Sequence, residues 1–161
     1  FLQGEFQAAV LLAEEGLAAA RAIGSLYDIM TGLRMVGFGA AAQGNYSQAE
    51  ERFFEMVRLA KDAGGSVPLM LSVLAFATLA LYRGQGERGA RLFGAALAVG
   101  RAAGIDPRNW TGVTGALTNY FFKMGSALLD EKAIEAAMAE GATLTPEQAL
   151  ALATRDADME V

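Results

Sequence analysis

The chain contains neither cysteine nor histidine, and only three prolines and one tryptophan, in 161 residues. The missing cysteine removes disulfides, thiolate nucleophiles and thiolate-ligated metals together, and fits a reducing compartment. The missing histidine removes the usual general base and the commonest metal ligand, so catalysis would have to run on carboxylates, Lys, Tyr or Ser. No catalytic residue, metal site or cofactor is expected. Positive charge is also scarce, with 13 Lys and Arg against 18 Asp and Glu and a net charge of −5. That balance opposes docking on a polyanion, because neutralised phosphates supply most nucleic-acid affinity. No basic stretch followed by an apolar run and cleavage site opens the chain. A cytoplasmic location is therefore expected, and the N-x-S/T matches at Asn45 and Asn109 carry no glycosylation reading.

The remainder is 53% hydrophobic with 19 glycines, a mixture that suits closely packed helices better than sheets. The length is that of one domain, able to bury roughly two thirds of its unfolded surface. The run "AGGSVPLMLSVLAFATLALY", residues 63–82, is twenty residues without a charge, about the length of a membrane span. Its first residues read as a turn, with Pro68 near a helix start. The remaining apolar stretch is read as a buried helix, not a span.

Organisation is the strongest signal. Gly4, Gly44 and Gly84 stand forty residues apart, and so do Gly24, Gly64 and Gly104. Self-similarity at such a period marks a stacked repeat. Between these glycines, apolar or small residues share offsets: Phe6, Ala9, Ala13 and Leu17; Tyr46, Ala49, Phe53 and Val57; Gly86, Gly89, Phe93 and Leu97. That spacing is one face of a helix. The intervening segments repeat it with Met30, Leu33, Gly37 and Ala40, then Met70, Val73, Ala77 and Ala80, then Trp110, Val113, Leu117 and Tyr120. Each unit is thus a helix pair joined by a tight glycine turn.

Phe1, Leu2 and Gln3 align with Ala41, Ala42 and Gln43, the last turn of a helix, so further helices are expected upstream. After Gly125 the period blurs. "SALLDEKAIEAAMAEG" reads as a helix ending at Gly141, and Thr145, Pro146 and Gln148 form a capping-box start for a last one.

A second face of the inner helices carries Thr31, Arg34 and Phe38, then Leu74, Thr78 and Tyr82, then Thr111, Thr114, Thr118 and Phe122. In an array of helix pairs these residues would line a concave groove for a protein or peptide segment; alternatively, a tight superhelix buries them. Two other motifs have bland explanations. "GQGERG", Gly84 to Gly89, matches the dinucleotide fingerprint but follows a helical rather than a strand pattern. Glu14, Glu15, Glu50, Glu51 and Glu55 read as solvated helix faces and ion-pair partners, not a catalytic dyad.

"GNYSQA", with Gly44, Tyr46 and Ala49, resembles tetratricopeptide-like arrays. "RGARLFGAALAVGRAAGI" followed by "ALLDEKAIEAAMAEGATLTPEQALALA" is similar to the C-terminal helical-repeat region of large bacterial signal-transducing ATPases, including LuxR-type and MalT-like transcriptional regulators; Ala90 to Ala96, Ala139 to Gly141 and Leu144 to Ala149 carry the likeness. The family's nucleotide- and DNA-binding motifs do not occur here, so the resemblance implies a sensor or scaffold segment of a larger regulator.

The expected fold is therefore all-α: a right-handed superhelical array of antiparallel helix pairs, tetratricopeptide-like, with a C-terminal capping helix. Units fall at about 4–43, 44–83, 84–125 and 126–153, with 154–161 a charged tail or linker. The expected role is non-catalytic protein interaction or effector sensing. Self-association and a nucleotide-binding or small-molecule enzyme domain using Gly84 to Gly89 are the alternatives.

Overall fold

The computed structural model describes residues 3–105 and 112–155, and the regular structure among them is entirely helical. In chain order the helices are α1 (Gln3–Ile23), α2 (Leu26–Ala42), α3 (Tyr46–Ala63), α4 (Ser66–Tyr82), α5 (Gly86–Ala102), α6 (Gly112–Leu128), α7 (Glu131–Gly141) and α8 (Pro146–Thr154).

The sequence period is visible in the turns. Gly24, Gly44, Gly64, Gly84 and Gly104 all have positive φ, between 69° and 78°, a conformation that costs every residue with a Cβ. Four of the five share one hydrogen-bond pattern. The amides of Ser25, Asn45, Gln85 and Ile105 donate to the carbonyls of Ala20, Ala40, Ala80 and Gly100. This six-residue closure, with a left-handed glycine inside it, satisfies carbonyls that a helix end would leave orphaned. The α3–α4 turn differs: two consecutive glycines, Gly64 and Gly65, both take positive φ.

Start signals vary. Asn45 accepts from the Gln48 amide and Asp130 from the Ala133 amide. Thr145 and Gln148 form the expected reciprocal box. At α4 the residue before the helix is Gly65, and Ser66 is its first residue.

Packing follows the turns. α2 packs against α1 and α3, and α4 against α3 and α5, with a further contact between α2 and α4. Phe53 of α3 is fully buried, edge-on to Phe38 of α2 and Phe76 of α4. Gly37 of α2 lies beneath that ring, where a Cβ would collide with it. α4 has no charged residue and is buried from Met70 to Leu81, which is why it reads as uncharged: α2, α3, α5 and α8 all pack on it. Among the described residues no helix is long and apolar enough to cross a membrane.

Regular stacking ends at α5. α7 packs extensively against α5, while α6 touches α4, α5 and α7 only sparingly. Gly86 of α5 meets Leu128 and Leu129 ahead of α7, Ala90 clusters with Ile134 and Ala137, and Gly94 meets Met138. A Cβ on Gly94 would collide with the Met138 carbonyl, and one on Gly141 with the Arg91 carbonyl. α8 lies across α4 and α5. Arg88 of α5 donates to the carbonyls of Leu152 and Ala153 at 2.9 and 3.1 Å, placing a cation at the negative end of α8.

Three details depart from the period. Gly4 lies inside α1 and makes no turn, and Gly125 lies inside α6, which continues to Leu128. Tyr120, expected in the core, is 44% exposed whereas Phe121 is 2% exposed. The cause is that α6 meets the stack through aromatic side chains, Phe121 stacking on Phe93 at 4.0 Å.

Candidate functional site

The second face of α2 is where the predicted groove residues come closest to forming a site. Thr31, Arg34 and Phe38 follow one another at helical spacing. Phe38 is half-buried against Phe53. Thr31 borders a cleft of about 380 Å³ between α1 and α2, together with Ala13, Gly16, Ala20, Gly32 and Met35. Sequence reasoning missed this cleft, although its signal is present as small residues three and four apart on both helices.

Arg34 is the unusual member. It is 3% exposed, and it shares with Arg52 of α3 an enclosed Nε that has no hydrogen-bond partner. The Thr31 Oγ1 one turn earlier is likewise enclosed without a partner. Burial lowers the Arg34 pKa, with a smaller opposing effect from Tyr27. Enclosing a cation without a compensating acceptor is costly, so these orphaned donors require an explanation.

On α4 the predicted groove is closed. Leu74 is 8% exposed and belongs to the core, and Thr78, at 9%, donates its hydroxyl to the Leu74 carbonyl at 3.1 Å. For these two residues burial, the alternative to an open groove, is what the structure has. Tyr82 is half-buried; its carbonyl accepts from the Tyr46 hydroxyl at 2.9 Å and its own hydroxyl meets that of Tyr120 at 3.3 Å. Burial first, and then Tyr120, raise the Tyr82 pKa above its ordinary 10.0. Phe122 is 40% exposed and edge-on to Phe93. Thr111 lies outside the described residues. Thr114 and Thr118 fall on α6, but their side chains are likewise outside them. Among the described side chains, the α2 members cluster, Leu74 and Thr78 of α4 are core, and Tyr82 and Phe122 stand at the contact between α6 and the stack.

The Gly84–Gly89 motif follows helix α4 rather than a strand, and Gly86 and Gly89 sit inside α5. Gly89 is packed against Leu81 and the Ala77 carbonyl, and Gly86 against Leu128 and Leu129. The cations there are already engaged: Arg88 bonds Gln85 and α8, while Arg91 pairs with Glu87 and Glu140. A phosphate would have to displace internal partners.

Two of the clustered glutamates form interhelical pairs. Glu50 pairs with Arg83 at 2.7 Å, with both side chains under 20% exposed, and Glu55 pairs with Arg21 at 2.6 Å. Among the described residues no group of three or more acidic side chains is placed to hold a metal.

No family model matches the chain, and no curated protein or solved structure matches it.

Proposed function

We propose that this chain is a non-catalytic protein-interaction or effector-sensing repeat segment of a bacterial signalling or transcriptional regulator, of the LuxR-type, MalT-like kind, with a tetratricopeptide-like superhelical build. Its partner is a protein or peptide segment, or another domain of the same regulator. The observation that carries the proposal is Arg34, a buried arginine whose Nε has no acceptor, one turn from the equally orphaned Thr31 hydroxyl. A ligand carboxylate at the α2 face would supply the missing acceptor, and a charge-assisted bond there is about twice as strong as a neutral one.

The test pairs one substitution with one probe. Without ligand, Arg34→Met should leave stability unchanged or raise it by about 1–3 kcal/mol, since an apolar side chain replaces a buried charge. The probe is a short acidic peptide with a free C-terminus, compared with its Gln-substituted amide. The acidic form should raise the Tm of the natural chain, as any ligand selective for the folded state does, and should not raise that of Arg34→Met. A large loss of stability in Arg34→Met, or equal upshifts from both peptides, would make Arg34 structural and remove the support for a carboxylate ligand.

A further inference from the structure

The chain has four tyrosines, and two of them meet: Tyr82, the last residue of α4, and Tyr120 in α6. Tyr82 donates its hydroxyl to that of Tyr120 at 3.3 Å, with ring centroids 6.5 Å apart and planes tilted by 44°. Among the described residues this is the one contact between two phenol rings. Tyr82 is half-buried and anchored through its carbonyl, which accepts from the Tyr46 hydroxyl. Tyr120 is presented by α6, where Phe121 stacks on Phe93 and Phe122 meets the same ring edge-on, and it stays 44% exposed.

Two phenols in this relation are suited to oxidative coupling. When phenol rings are joined through carbons next to their oxygens, the two hydroxyls of the product lie at hydrogen-bond distance, as those of Tyr82 and Tyr120 already do. The rings have only to close on each other. α6 can supply that movement, since it touches α4, α5 and α7 sparingly. The chain has no cysteine, so the thiolate that an oxidant ordinarily attacks first is missing. One phenol is open to an oxidant, and the other lies beside it, partly shielded.

We propose that Tyr82 and Tyr120 are a modification site, at which a one-electron oxidant joins the two rings into a dityrosine that ties α6 to α4. Two equivalents of the oxidant each take one electron, and each phenol releases its hydroxyl proton to water. The two phenoxyl radicals pair their electrons in a bond between the ring carbons ortho to the oxygens. The hydrogens on those carbons then leave as protons while the oxygens take protons back. In sum one C–C bond replaces two C–H bonds, and two electrons and two protons depart. Because both radicals belong to one folded molecule, coupling has the advantage of a high effective concentration. The proposal does not depend on the ligand assigned to Arg34.

The link would close a loop between residues 38 positions apart, restricting the unfolded chain as a disulfide does. The test exposes the dilute folded chain to ruthenium(III) tris-bipyridine, generated by light and persulfate. The product should run as a monomer, show dityrosine fluorescence, and release a linked peptide holding Tyr82 and Tyr120 that is two hydrogen atoms lighter than its parts. Its Tm should rise by about 5 °C or more, and amide exchange in α6 should slow by about tenfold or more. Tyr120→Phe, which keeps the ring and removes an accessible hydroxyl, should abolish the fluorescence, as should Tyr82→Phe. Tyr27→Phe should leave it unchanged.

Links mapped to Tyr27 or Tyr46, or linked dimers in place of a monomer, would overturn the proposal. So would an equal yield from the chain unfolded in urea, since coupling would then owe nothing to the fold. Oxidation that consumes the phenols without joining Tyr82 to Tyr120 would overturn it as well, because the rings would be shown not to reach one another.

Discussion

At one end of the stack α7 and α8 close over α5, with glycines at Gly94 and Gly141 admitting direct backbone contact and Arg88 holding the last carbonyls of α8. At the other end α1 offers Leu11, Leu12 and Ile23 to solvent at 60%, 66% and 80% exposure. The two ends are built from similar residues, rich in Ala, Leu and Gly. Composition therefore does not distinguish a covered face from a bare one; what differs is whether a helix is present to cover it.

The largest test of that contrast compares glycines. Gly141→Val or Gly94→Val should cost about 3 kcal/mol or more, because the new side chain meets backbone that cannot give way. Gly16→Ala should instead stabilise by about 0.5–1 kcal/mol, since an open helical site gains only propensity. Urea unfolding of both decides it: equal losses would mean α1 is packed after all. Next in size are the equivalent leucines. Leu92→Ala should cost about 2–4 kcal/mol and Leu12→Ala less than about 0.5, in the same assay.

Smaller effects sharpen the closed end. Arg88→Ala should release α8 selectively, costing about 1–2 kcal/mol and speeding amide exchange from Ala149 to Thr154 more than elsewhere. The smallest concerns Tyr82 beside α6. Its pKa is raised by burial and by Tyr120, so the neutral phenol is favoured in the fold. That contribution is complete below about pH 10 and is lost as the pH rises beyond it. Unfolding midpoints at pH 9 and pH 11 should therefore differ more for the natural chain than for Tyr82→Phe.

Much of the fold is legible in the sequence, for a local reason. A left-handed turn admits glycine far more readily than other residues, so the period of Gly24, Gly44, Gly64, Gly84 and Gly104 coincides with the reversals. Gly4 and Gly125 carry the same letter but sit inside helices, and nothing local separates a turn glycine from one in a helix. Gly94 and Gly141 serve a third purpose, letting α5 and α7 touch. That role depends on a partner some forty-five residues away in the chain, so no window of sequence discloses it. The displacement of α6 is hidden likewise, because "ALTNYFF" has acceptable helical spacing whichever of Tyr120 and Phe121 turns inward.

The candidate site was legible only in outline. Spacing put Thr31, Arg34 and Phe38 on one face, and α2 keeps them there. Spacing could not say that Leu74 and Thr78 would be enclosed, because burial on α4 comes from four neighbouring helices. Nor could it single out Arg34: an arginine in a helix is ordinarily a solvated residue, and its near-complete burial with an unpartnered Nε is visible only in the fold.

The evenly stepped reversals have one more consequence. Because consecutive helices alternate in direction, Gly24 and Gly64 fall along one rim of the stack and Gly44 and Gly84 along the opposite rim, all of them open to solvent. Loops or reporter groups inserted at Gly44 and Gly84 would be displayed side by side from a single edge, leaving the helical faces untouched. The molecule thus offers a ready-made way to label one border of the array without disturbing its interior.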